Sequence, residues 1–232
     1  MDGHTGFEEI PSWFVVLPDS ASVASVAAAL CQRATQEVSH PSGRPWLLGC
    51  WDDDTTTVGQ AGHTKIAIIG EHGVTASQLT GAANRTAAVA DLDSLAASLV
   101  GSSHLVASVA GRVRVQGTVT GLRRVFHARV GDATVATDRA DVLAEVLDTK
   151  LDEQRLAVHL LDSSALYPLA GEPVWRGVSA LPTKPLPGAR RRRSRAIDPV
   201  VDSSGTGSAD GRGRAGIAGG VVGRGRRPGS GP

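Results

Sequence analysis

The hydrophobic pattern of this 232-residue chain stops near residue 185, so a packed core has to be assembled from what precedes it. Residues 186–232 carry 10 Arg, 3 Asp, no Lys and 12 of the 28 glycines, a net charge of +7. All eight aromatic residues lie before residue 176. A segment with so little apolar surface cannot offset the entropy of ordering its backbone, which predicts disorder for 186–232. Residues 1–185 carry 14 basic and 20 acidic side chains, a net of −6. The overall net charge of +1 therefore describes neither part.

Several classes drop out. Two cysteines, Cys31 and Cys50, are too few for a disulfide-dense scaffold or an all-cysteine zinc site. No apolar run approaches 18 residues, so no membrane-spanning helix is expected. The first residues are acidic (Asp2, Glu8, Glu9) and lack the basic start of a signal peptide, so a cytoplasmic location is the expectation.

The foldable part reads as a succession of short strands and helices without strict alternation. Trp13–Pro18 is a buried strand, and Val23, Val26, Ala27 and Leu30 recur at helical spacing within 21–34. Trp46–Trp51 is a second strand, and Thr55–Gln60 reads as its hairpin partner across Asp52-Asp53-Asp54. Lys65–Gly70 is a compact strand, and 75–84 and 91–99 are helices, with Gly101 suited to the C′ position of the second. Four strands fill 104–137. In one of them Arg112, Arg114 and Gln116 alternate with Val113 and Val115, which predicts one wet face. Gly131-Asp132 fits a two-residue hairpin loop. Helices follow at about 139–148 and 152–162, the latter with Leu156 and Leu160 aligned and Pro168 closing the stretch. Trp175–Leu181 is a last strand. Strand meanders followed by helices are an α+β pattern.

Catalytic and metal signatures are sparse. The histidines at 4, 40, 63, 72, 104, 127 and 159 form no metal-ligand spacing, and His63, His72 and Cys50 do not make a zinc pattern. Asp52-Asp53-Asp54 reads as an acidic turn rather than a cation site. Gly70-Glu71-His72-Gly73 is neither a dinucleotide nor a phosphate-loop motif. Cys31, among Ala and Leu, reads as a small core residue, and Cys50 as part of a buried strand. These readings assign no catalytic, cofactor-binding or metal residue. Arg190–Arg193, Arg195 and the Gly-Arg runs at 211–214 and 223–227 have no Phe or Tyr to stack on bases, so nucleic acid is not the expected partner.

Five blocks carry a resemblance: Ser42–Gly49 (SGRPWLLG), Gly101–Ser108 (GSSHLVAS), Arg112–Arg129, Thr134–Leu143 (TVATDRADVL) and Trp175–Pro182 (WRGVSALP). Together they resemble the N-terminal domain of the asparagine-synthase-related cyclases that close the macrolactam ring of lasso peptides. The resemblance covers about 12–182 and is strongest over 101–181. It implies a class II glutamine amidotransferase-like domain with the Ntn-hydrolase fold, a four-layer αββα sandwich. For the whole family it implies ATP and Mg, carboxylate adenylation in a C-terminal ATP-pyrophosphatase domain, and a precursor peptide and other lasso biosynthesis proteins as partners.

The departures imply an inactive glutaminase. Where the family's glutaminase has an N-terminal Cys nucleophile, residue 2 is Asp. The Arg-Gly-Pro-Asp and Asn-Gly-Glu motifs that hold glutamine are missing, Ser42-Gly43-Arg44-Pro45 being the nearest text. Ser203–Ser208 superficially resembles the synthetase loop Ser-Gly-Gly-x-Asp-Ser, but no apolar strand precedes it. The surge of Arg, Gly, Ala and Pro after Leu181-Pro182-Thr183-Lys184-Pro185 is what a shifted frame of GC-rich DNA gives, so a truncated or frameshifted cyclase is the expectation. The alternatives are a fragment of a glutamine-hydrolysing asparagine synthase and a non-catalytic peptide- or protein-binding scaffold.

Overall fold

A computed structural model describes residues 12–118, 120–161 and 171–182. Within them lie ten strands and five α-helices. The predicted tail at 186–232, His4 and Pro168 fall outside the described residues.

The strands form two antiparallel sheets. The first contains β1 (Trp13–Val16), β2 (Gln36–Ser39), β3 (Pro45–Cys50), β8 (Phe126–Val130), β9 (Ala133–Thr137) and β10 (Val178–Ala180), in the order β10-β8-β9-β1-β3-β2. The second contains β4 (Thr56–Ala61), β5 (Thr64–His72), β6 (Gly101–Val109) and β7 (Arg112–Gln116), in that order. The helices are α1 (Ala24–Cys31), α2 (Ala76–Arg85), α3 (Leu92–Ser98), α4 (Ala140–Val146) and α5 (Glu153–Leu160).

Period-two side-chain alternation makes each central strand apolar on both faces and thereby builds three apolar clusters. Trp13, Val15 and Leu17 pack with Val26 and Leu30 of α1 and Val142 and Leu143 of α4. From the other face of β1, Phe14 and Val16 pack with Ala67, Ile69 and Val106 of the second sheet. Ile66, Ile68 and Leu105 turn the opposite way, onto Leu79 and Ala83 of α2 and Leu92 of α3. A fully buried Leu or Ile contributes about 2 kcal/mol, so the clusters hold the layers face to face. α2 starts at a complete capping box, in which Thr75 accepts from the Gln78 amide and the Gln78 side chain accepts from the Thr75 amide.

Several expectations are corrected. β4 does not pair with β3. The residues Asp53–Thr55 form a 3-10 turn that carries the chain to the other sheet, where Thr56–Ala61 pairs with Thr64–Ile69 around Gly62-His63. β2 is an additional edge strand, too polar and short to stand out in the sequence. Gly101 is not a helix C′ residue. It opens β6 opposite His72 at φ +116°, and a Cβ there would stand 2.2 Å from the Glu71 carbonyl oxygen. Cys31 ends α1 as an exposed residue rather than a core one. The expected wet face of β7 is wet only in part, with Arg112 exposed, Gln116 half-buried and Arg114 covered. Arg114 is 8% exposed, donates to the Val89 carbonyl at 3.2 Å and to Gln116 Oε1 at 2.8 Å, and pairs with Asp93 at 2.8 Å. The Leu stripe of α5 does not reach the core, with Leu156 half-buried and Leu160 79% exposed. Polar bonds hold that helix instead, from Arg155 to the Pro173 and Val178 carbonyls and from His159 to the Glu172 carbonyl.

Candidate functional site

Two titratable groups with displaced proton affinities, the half-buried Asp138 and the buried His104, lie where β1 begins. The β1–β9 ladder pairs Val15 with Thr137 and Val16 with Ala136, and side chains continue it toward Phe14. Thr137 Oγ1 donates to the Phe14 carbonyl at 2.7 Å, and the Phe14 amide donates to Asp138 Oδ1 at 2.9 Å. Both polar groups of one backbone unit are thus engaged by consecutive side chains at the end of β9. The Arg139 amide donates to Thr137 Oγ1 at 3.1 Å, and Ala140 then opens α4.

The Phe14 ring meets the His104 ring edge-on, with centroids 5.0 Å apart at 75°. His104 is 2% exposed on β6, and its Nε2 bonds the Arg124 carbonyl at 3.1 Å, which assigns the ring proton to Nε2 in the neutral form. Arg123, the neighbouring residue, donates from Nε to Ser102 Oγ at 3.2 Å. The segment between β7 and β8 that supplies both arginines is closed by bonds from the Thr118 amide to the Arg123 carbonyl and from the Arg123 amide to Thr118 Oγ1.

Burial sets the electrostatics of this end. It pushes Asp138 up to about 6, against the opposing pull of the Phe14 amide, its own amide, Arg139 and Arg123. It pushes His104 down to about 4, with the Arg124 carbonyl opposing and the Arg123 charge adding. At neutral pH the pair is a largely ionised carboxylate and a neutral imidazole.

The bonding partners restrict what these groups do. One Asp138 oxygen is spent on a backbone amide and His104 Nε2 on a backbone carbonyl, so both lock strand and loop positions. Among the described residues no hydroxyl or thiol hydrogen-bonds to an imidazole. The Cys50 thiol, 7% exposed, donates to the Arg33 carbonyl at 3.5 Å. Burial and the Glu37 charge push the exposed Cys31 thiol upward, away from the reactive thiolate.

The other sequence-stressed residues are dispersed. His40 lies at the far end of β1, on the Leu17 carbonyl at 2.9 Å, and His63 lies in the β4–β5 turn. His72 accepts the Val74 amide at 3.2 Å. Burial lowers the proton affinity of His127 against the charge of Glu172. Asp53 takes a bond from Gln36 Nε2 at 2.9 Å. Among the described residues no three His, Cys, Asp or Glu side chains converge as a metal group would require. No helix among them is long and apolar enough to cross a membrane. Asp138 and His104 were not singled out by spacing. Their signal was local: each is an ionisable residue beside an apolar β run.

No protein-family model matches the chain, and no curated protein matches it.

Proposed function

We propose that residues 12–182 form a glutaminase-like domain, the N-terminal part of an asparagine-synthase-related macrolactam cyclase, acting as a structural and docking element rather than as a glutamine hydrolase. The observation that carries this reading is the succession of three apolar clusters, helices on sheet, sheet on sheet and sheet on helices. That succession fits the four-layer αββα sandwich of the Ntn-hydrolase fold implied by the resemblance. The non-catalytic role rests on the two thiols, one exposed at the end of α1 and one bonded to a backbone carbonyl in β3. A thiol that works on glutamine has to sit beside an amine or imidazole base.

In this reading ATP and Mg act in the synthetase domain, where a precursor-peptide side-chain carboxylate is adenylated and the peptide's own amine closes the ring. The test supplies such a domain in trans with ATP, Mg and a precursor peptide. The expected result is macrolactam formation that depends on this chain, with no ammonia released from glutamine. Ammonia release abolished by Cys31→Ala or Cys50→Ala would instead favour a fragment of a glutamine-hydrolysing asparagine synthase. Peptide binding without any dependence of ring closure on this chain would favour the simple scaffold.

A further inference from the structure

Among the described residues the first sheet ends at β10 on one side and at β2 on the other. An edge strand turns the N–H and C=O of every second residue outward, where another chain can pair with them. β2 blunts its edge within its own sequence, through the exposed charge of Glu37 and a register shift between Val38 and Ser39. β10 has neither device. Val178-Ser179-Ala180 carries no charge and runs in unbroken register along β8.

The ladder fixes which groups of β10 face out. Ser179 stands opposite His127, and the next inward bond runs from the Leu181 amide to the Val125 carbonyl at 2.8 Å. Bonded and non-bonded positions alternate in an antiparallel pair, so Ser179 bonds toward β8 while Val178 and Ala180 face outward. Their outward groups are met from outside the sheet. Glu172 Oε2 accepts the Ala180 amide at 3.3 Å, and Arg155 Nη1 donates to the Val178 carbonyl at 3.4 Å. A carboxylate and a guanidinium thus stand where the acceptor and donor of a neighbouring strand would stand. Both are tied down in turn. The Glu172 carbonyl accepts His159 Nε2 at 2.7 Å, and Arg155 Nη1 also donates to the Pro173 carbonyl at 3.2 Å.

We propose that Glu172 and Arg155 guard this edge, occupying the outward groups of β10 and so keeping it from pairing with the β10 of a second copy of this chain. The identity of the excluded partner follows from symmetry. Two copies of one strand, antiparallel about a two-fold axis, offer each other the same residues, so an open β10 edge is self-complementary. The proposal does not rest on the amidotransferase reading.

The test compares the full chain with the double variant Glu172→Ala, Arg155→Ala by sedimentation velocity across a wide concentration range. The double variant should dimerise at concentrations where the wild-type protein does not. Adding Ala180→Pro removes the outward N–H without touching the ladder to β8 and should abolish that dimer. A folded double variant that stays monomeric, or a dimer that survives Ala180→Pro, overturns the guard. Should the double variant not fold, amide exchange of the single variant Glu172→Ala decides. The Ala180 amide should exchange about tenfold faster than in the wild-type protein, the loss expected for one hydrogen bond to a charged acceptor, while the inward Ser179 amide is unchanged. An Ala180 amide that exchanges equally fast in both proteins overturns the guard.

Discussion

The Asp138 carboxylate accepts the Phe14 amide at 2.9 Å, so the start of the central strand of one sheet is fastened by the residue that leads into α4. The Phe14 ring in turn lies against His104 of the other sheet. One residue of β1 therefore touches both a half-buried acid and a buried base whose proton affinities are displaced in opposite directions.

Those displacements act oppositely on stability. Asp138 moves from an ordinary 3.8 to about 6, so the folded state binds the proton more tightly and stability falls as pH rises through that window. His104 moves from 6.5 to about 4, so the folded state binds its proton less tightly and stability falls as pH drops through nearly the same window. At about 1.4 kcal/mol per pH unit, each contribution is on the order of 3 kcal/mol, and the two largely offset. Relative to wild type between pH 4 and 6.5, Asp138→Asn should gain stability progressively as pH rises, and His104→Gln should gain it progressively as pH falls. Urea midpoints across that range check both, and parallel wild-type and variant profiles would contradict the assignment.

Arg114 should matter far more than the acid it pairs with. Its guanidinium is covered and bonds a backbone carbonyl and Gln116, whereas the Asp93 side chain is 64% exposed. Arg114→Ala leaves the Val89 carbonyl and Gln116 without their donor and should cost about 2 kcal/mol. Asp93→Asn weakens a largely solvated contact and should cost under about 1 kcal/mol. Equal losses in chemical denaturation would mean that the ion pair, not the buried bonds, holds β7 to the segment before α3.

The core was legible because its signal is periodic. β1, β3, β5 and the Val/Ala runs of β6–β9 appear at nearly their sequence positions, and Val23, Val26, Ala27 and Leu30 face inward as their spacing requires. Pairing was less legible. β4 reads as the hairpin partner of β3, and only the third dimension shows that the acidic turn crosses between sheets and leaves β4 paired with β5. Arg114 looked solvated because alternation reports two faces of a strand, not what covers each face. The Asp138–Phe14 bond spans 124 positions, and no local pattern encodes a contact of that separation. The buried Trp46 indole N–H, unpartnered among the described residues, was invisible for the same reason, since burial without a partner is a property of packing.

The capping box of α2 gives a local prediction. Thr75 Oγ1 accepts the Gln78 amide at 3.3 Å, and Gln78 Oε1 accepts the Thr75 amide at 2.8 Å. Thr75→Ala removes one of these bonds and should lower stability by about 1 kcal/mol. Thr75→Ser keeps the hydroxyl and should recover most of the loss. A Ser variant as unstable as Ala would assign the loss to the Thr75 methyl group rather than to the cap.

The two thiols should separate kinetically. Cys31 is exposed at the end of α1, with its pKa raised by burial and by the Glu37 charge, while Cys50 is 7% exposed and bonded to the Arg33 carbonyl. A disulfide reagent acts on thiolate, so its rate follows both access and ionisation. In native protein one thiol should react within minutes and faster as pH rises, and Cys31→Ser should abolish that phase. Glu37→Gln removes the nearby negative charge, which should lower the Cys31 pKa and speed its labelling at pH 7.5 modestly, by about twofold. Cys50 should react only with denaturant present. Rapid native labelling that survives Cys31→Ser would mean that Cys50 is accessible, and it would reopen β3 as the place to look for a working thiol.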